Sequence, residues 1–284
     1  MVVALIATIG VLSFAACNNK KLPSVDYKKN NEYSVSTTTY VVNPEAKEDE
    51  QLSAVIYTPD GVQAKYGLLF FLGTVIAPEY YDYLASALAK QGYVVTIVVE
   101  PFAYFGYDDR SKPIADKILA KYPDLKFFVG GHSQGGGAAM RFACENLDHV
   151  LGAIFLAPLT FGARDATQEE YDKDATAHPE WFNINTDGSI SRADTLVNTT
   201  LPTLLLEASN DHVLSVQQKS EALDKMPQTM THFVIQNASH MGFSTMELGL
   251  NGDGEDITEE DVANQQLLTV SYVLDFLQIT VANL

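Results

Sequence analysis

From about residue 33 onward the chain alternates between two kinds of hydrophobic pattern. Short continuous apolar runs recur as GLLFFLG (67–73), YVVTIVVEP (93–101), LKFFVGG (125–131), VLGAIFLAP (150–158), PTLLLEAS (202–209) and THFVIQNA (231–238). Runs of that length, bounded by turn residues, predict strands buried on both faces. Between them, PEYYDYLASALAKQG, residues 111–122, a small-residue stretch over 135–146 and a closing stretch over 258–278 carry helical spacing. Pro78 suits a first helical turn, and Gly92 suits the position just past a helix end. Upstream, YSVSTTTYVV and QLSAVIYTP are β-branched and aromatic, and predict a strand pair around the acidic PEAKEDE. Strands alternating with helices predict a mostly parallel central sheet with helices on both faces, joined by right-handed crossovers.

Two stretches stand outside that alternation. Residues 160–200 are polar and hold the only tryptophan, Trp181. A structureless loop of that length is unusual inside a compact domain, so the stretch is expected to carry its own elements and to form a small cap. At the other end, residues 1–16 are uncharged and apolar but shorter than the ~20 residues of a membrane span. They end in small residues and run directly into Cys17, followed by Asn18, Asn19, Lys20 and Lys21. That arrangement resembles a bacterial lipoprotein signal, in which the cysteine becomes the lipidated first residue. The expected organisation is a signal over 1–17, a polar linker over 18–32 and one domain over 33–284. The expected setting is extracytoplasmic, anchored to the membrane only through lipid on Cys17, or secreted if the signal is of the plain kind.

Composition narrows the partners. Of 284 residues, 46% are hydrophobic and 19% charged, enough for a sizeable core. Acids outnumber bases 36 to 18, a formal charge of −18 that repels phosphate backbones and disfavours nucleic acid as a partner. The second cysteine, Cys144, reads as a small buried apolar residue.

The chemistry gathers in GGHSQGGG (130–137), between a predicted strand and a predicted helix. Gly131-His132-Ser133-Gln134-Gly135 matches G-x-S-x-G, the turn that exposes a serine hydroxyl at the end of a sheet. The turn is so sharp that side chains two residues before and after the serine would collide, hence the glycines. A serine needs a base to take its proton. His240, in Ala238-Ser239-His240-Met241-Gly242, follows one predicted strand; Asp211, in Ser209-Asn210-Asp211-His212, follows another. Both therefore fall on the same rim as Ser133, in the order Ser, Asp, His. Asp165 is the rival acid. Glu207 lies within a strand, His212 would have to turn away from Asp211, His232 opens a strand at the far rim, and His132 points differently off the turn. Two backbone N–H groups must hold an oxyanion: that of Gln134, after the nucleophile, and one from the loop after GLLFFLG, with Thr74 first choice and Val75 in reserve.

GLLFFLGTVIAPEYYDYLASALAKQGYVV, GGHSQGGGAAMRFA, LLLEASND and NASHMGF together resemble a branch of the α/β-hydrolase superfamily. The branch is loosely called dienelactone-hydrolase-like and is frequent among bacterial lipoproteins. The resemblance covers roughly 65–160 and 200–280. It implies the α/β-hydrolase fold, while the serine turn and the ordered downstream turns predict two-step acyl transfer, with no cofactor, on neutral carboxylic esters of small or medium size. Dienelactone hydrolases proper carry a cysteine nucleophile, and Ser133 in its place argues against that named activity. Two other readings use the same scaffold: a lipid-anchored binding protein without catalysis, and an acyltransferase or perhydrolase using the same residues. The acidic stretch 248–266 reads as a solvated loop, since it lacks the ligand spacing of a calcium loop. Phe102, Tyr104, Phe105 and Tyr107 form an aromatic loop suited to a substrate wall.

Overall fold

The computed structural model describes residues 33–99, 107–246 and 252–284. Cys17, the signal-like segment, the linker over 18–32, and Phe102, Tyr104 and Phe105 lie outside the described residues.

The predicted strand pair forms an antiparallel hairpin, β1 (Val35–Val41) with β2 (Ser53–Pro59), in which Val35 faces Pro59 and Val41 faces Ser53. Next come β3 (Tyr66–Phe71), α1 (Asp82–Lys90), β4 (Val94–Val99), α2 (Lys112–Lys121), β5 (Lys126–His132), α3 (Gln134–Glu145) and β6 (Val150–Leu156). The chain then makes a detour through β7 (Arg164–Ala166), α4 (Gln168–Asp174), β8 (Phe182–Ile184) and β9 (Ile190–Arg192). It returns through β10 (Thr203–Ala208), α5 (Val216–Asp224), β11 (Thr231–Ile235) and α6 (Glu259–Ala282). The main sheet has eight strands in the order β1-β2-β4-β3-β5-β6-β10-β11, parallel from β4 onward. The only antiparallel pairings in it are those of β2.

The continuous apolar runs are explained by two cores, one on each face of the sheet. Along β3 the side chains alternate: Leu68 and Phe70 join α1 and α6 in one cluster, and Leu69 and Phe71 join α2 and α3 in the other. Each run but the last thus supplies both cores at once; THFVIQNA forms the edge strand β11, which feeds only the α1/α6 side and leaves Val234 exposed, so the expectation of burial on both faces fails there. α3 is built almost wholly of small buried residues, Gly135 to Ala139, so it lies close against the sheet.

Residues 160–200 do carry elements of their own, including a three-stranded antiparallel sheet in the order β7-β9-β8. This small unit is braced along α3. Trp181 is buried, donates its indole N–H to Thr195 O at 2.8 Å, and lies 4.6 Å beneath the Arg192 guanidinium. Arg192 pairs with Asp174 and Asp194, and Cys144 Sγ of α3 contacts Thr195 O at 3.5 Å. Cys144 is buried as a small core residue. One helix went unpredicted: α5, whose Ser215/Gln218 capping box is complete but whose sole buried residue is Ala222, so it leaves little hydrophobic pattern.

Candidate active site

β5 delivers the G-x-S-x-G turn. Ser133 sits at φ 53°, ψ −123°, a strained conformation for a residue with a side chain. Its backbone is held on both sides: its N–H donates to Leu156 O at 3.0 Å, and its carbonyl accepts from Gly136 at 2.9 Å and Leu159 at 2.8 Å. The glycines are required by close approach. A Cβ on Gly131 would lie 2.1 Å from Gly135 O, and one on Gly135 would lie 2.2 Å from Phe71 O. Ser133 itself remains half-exposed. The N–H of Gln134 opens α3, where no intrahelical acceptor exists and the helix dipole favours negative charge.

β10 and β11 deliver the candidate acid and base. His240 Nδ1 and Asp211 Oδ2 are 3.0 Å apart, and both side chains are almost fully buried. Asp211 Oδ1 accepts from the N–H groups of Val213 and Leu214, each at 2.9 Å. Burial alone would raise the Asp211 carboxyl. The hydrogen bond and charge of His240, with the Leu214 N–H, outweigh it and hold the group below the usual carboxylate range. Asp211 is thus an ionised acceptor for an Nδ1–H, which leaves Nε2 of a neutral His240 as the proton acceptor. Among the described residues Ser133 Oγ makes no hydrogen bond to His240 Nε2, a contact that commonly tightens only around substrate.

The loop after β3 reaches the same place. The Thr74 hydroxyl donates to Gln134 Oε1, so the two candidate oxyanion residues are brought together. Val75 beside them is exposed at φ 59°, an outlier for a β-branched residue.

The other candidates are accounted for. Asp165 is exposed in β7, paired along the strand with Ser191. Glu207 binds His232 across β10 and β11 at 2.6 Å, so both belong to a cross-strand pair. His212 turns its ring to Gly252 O at 3.3 Å. No cluster of three or more potential metal ligands exists among the described residues.

Three residues outside the predicted triad and oxyanion pair hold the turns of the site, and sequence reasoning singled out neither Asp253 nor Gln265. Asp253, in the acidic loop read as solvated, is 4% exposed: Oδ1 accepts the N–H groups of His212 and His240, and Oδ2 that of Met241. Gln265 of α6 clamps Ser239, accepting its N–H at 3.1 Å and donating to its carbonyl at 2.8 Å. The Tyr81 hydroxyl oxygen accepts the Gly73 N–H at 3.1 Å. The base turn is also closely packed: a Cβ on Gly242 would lie 2.0 Å from Gln265 Oε1.

Residues 67–173 match the α/β hydrolase family, a span that contains the serine turn. The chain has the α/β-hydrolase fold. Among solved structures, the chain is similar to a dienelactone hydrolase from Anabaena variabilis. The likeness covers 84% of this chain and 97% of the other at 17% identity, with a TM-score of 0.53. In all, 1088 chains of solved structures match, and a scaffold so widely used does not by itself specify a substrate. A comparison with curated proteins finds no match.

Proposed function

We propose that this α/β-hydrolase is a serine esterase, with Ser133 as nucleophile, His240 as base and Asp211 as the acid that orients the base. The observation that carries the reading is the buried Asp211–His240 pair at the ends of β10 and β11, on the rim where the strained Ser133 turn leaves β5. His240 Nε2 takes the Ser133 proton as Oγ attacks a carbonyl carbon. The N–H groups of Gln134 and Thr74 hold the oxyanion, in a helix-terminal position where fixed donors need little reorganisation. His240 then protonates the leaving alcohol, and water releases the acyl group by the reverse path. The substrates are small neutral carboxylic esters, since the surface charge of −18 disfavours anions. Residues 160–200 serve as a cap beside the site, and lipid on Cys17 anchors the enzyme at the outer face of a membrane.

The test is labelling of the purified protein by a fluorophosphonate probe, with Ser133→Ala and His240→Ala as controls. Labelling that needs both residues is the expected outcome, and the Ala variants should retain the wild-type circular dichroism. A folded wild-type protein that takes no label would sink the esterase reading in favour of a binding protein on the same scaffold. Product analysis with water, alcohols and peroxide as competing acceptors separates hydrolysis from acyl transfer and perhydrolysis.

A further inference from the structure

We propose that Tyr81 and His132 are positioning residues that lock the oxyanion loop and the base turn to each other through one directional chain of hydrogen bonds. The inference rests on the esterase reading for its consequence, but its geometry stands independently.

Four groups make the chain. The Gly73 N–H donates to Tyr81 Oη at 3.1 Å, Tyr81 Oη lies 2.7 Å from His132 Nδ1, and His132 Nε2 lies 3.1 Å from His240 O. Tyr81 and His132 are both fully buried, so no water completes their hydrogen bonding from outside. The packing is tight: a Cβ on Gly73 would lie 3.0 Å from His132 Nδ1 and 3.2 Å from Tyr81 Oη.

Only one arrangement of protons satisfies every member. A backbone carbonyl can only accept, so His132 Nε2 must carry the hydrogen that reaches His240 O. In a neutral ring Nδ1 is then a lone pair, and it takes the single hydroxyl hydrogen of Tyr81. That frees the Tyr81 oxygen to accept from Gly73. The direction is fixed from end to end: Gly73 N–H to Tyr81 O–H to His132 to His240 carbonyl. The other neutral tautomer would set a lone pair against a carbonyl and leave the chain broken.

The surroundings keep His132 neutral. Its ring faces Tyr81, Phe243 and the His240 ring, at centroid distances of 5.9, 5.8 and 4.8 Å. Burial, and then the charge His240 can acquire, hold His132 well below its ordinary range; the Asp211 charge and the hydrogen bond to His240 O oppose this and do not win. Burial likewise keeps the Tyr81 hydroxyl protonated. A neutral His132 sets no second positive charge beside His240 when the base takes the serine proton.

The two ends explain the purpose. Gly73 precedes Thr74, whose N–H faces the developing oxyanion in the proposed mechanism. His240 O belongs to the residue whose ring moves the proton. The residue between them is the neighbour of the nucleophile in sequence. Thus one buried chain ties together the three places whose spacing sets the rate. A misplacement of about 1 Å at such a site costs on the order of a hundredfold in rate.

Two measurements test this. In the wild-type protein, ¹⁵N-histidine spectra should show His132 as the Nε2–H tautomer, unchanged from about pH 5 to 8. A titrating His132, or the Nδ1–H tautomer, would overturn the proposal whether or not the protein is an esterase. The second is a double-mutant cycle on ester hydrolysis with Tyr81→Phe, His132→Phe and the pair. Each single change should lower kcat at least tenfold with KM within about twofold, because only positioning is lost. The double variant should be no slower than His132→Phe, since a chain is broken once. Losses that multiply in the double variant would show two separate structural roles and refute the coupling. If wild-type protein takes no fluorophosphonate label, the esterase reading fails and the tautomer decides the chain alone.

Discussion

Asp253 gathers the N–H groups of His212, His240 and Met241 on one carboxylate, and so joins the turn that carries Asp211 to the turn that carries His240. Hydrogen bonds to a buried charged acceptor each stabilise by roughly 1.5–3 kcal/mol, and an amide cannot replace both oxygens. Asp253→Asn would set an NH₂ against a backbone N–H. It should lower stability by about that amount for one lost bond, and lower kcat about tenfold or more with KM little changed. Steady-state kinetics with calorimetry check both, and a variant with wild-type kcat would show that the bridge does not position the base. The contrast with the triad explains what a sequence can carry. Ser133 is marked by glycines that the backbone itself demands, and Asp211 and His240 by their places after apolar runs. Asp253 holds other residues' backbones 13 and 41 positions away, so no local pattern points to it. Tyr81 was hidden for a similar reason, since an aromatic at helical spacing reads as packing whether or not its hydroxyl has a partner.

α6 shows how one element can serve stability and the site through different residues. Its first turn is closed by a reciprocal capping box, in which the Thr258 hydroxyl accepts from the Asp261 N–H and the Asp261 carboxylate accepts from the Thr258 N–H. Further along, Gln265 reaches back to hold Ser239, the neighbour of His240. Thr258→Ala removes the cap and should cost about 1 kcal/mol, a fall in Tm of a few degrees, with kcat unchanged. Gln265→Ala should also lower Tm, because it strands a buried N–H and a buried carbonyl, and it alone should lower kcat. Thermal unfolding and kinetics on the two variants separate the roles; equal kcat in both would remove Gln265 from the positioning of the base. The helix was legible because its period and start signal agree. α5 was not, although its capping box is as complete, because a helix that buries a single alanine carries almost no hydrophobic period. The runs of β3, β4, β5, β6 and β10 were readable for the opposite reason: each is apolar on both faces, since each feeds both cores.

For the molecule as a whole, two electrostatic effects oppose each other as pH falls. The formal charge of −18 at neutral pH works against the compact state through self-repulsion. Ordinary carboxylates titrate near 4, so acidification relieves that repulsion from about pH 5 downward, toward the sequence pI of about 4.5. Carboxylates held below their ordinary range act the other way. Asp211 is one. Glu170 is another: burial pushes it up, but the hydrogen bonds and charge of Arg164 and the hydrogen bonds of Thr167 bring it down to about 2. A carboxyl whose folded value is depressed contributes stability that is present above its unfolded value, near 4, and lost as pH falls through its folded value. The relief therefore comes first and the loss second. Tm should stay nearly level from pH 8 to about 5, rise slightly toward about pH 4.5 and fall below about pH 4. Added salt should raise Tm at pH 8, where repulsion is greatest, and have less effect near pH 4.5, where the net charge vanishes. A Tm that does not fall below about pH 4 would mean that the depressed carboxylates add no stability in the acid range. It would also mean that Asp211 gains nothing from His240 in the folded state, which would remove the electrostatic support for its role as the orienting acid.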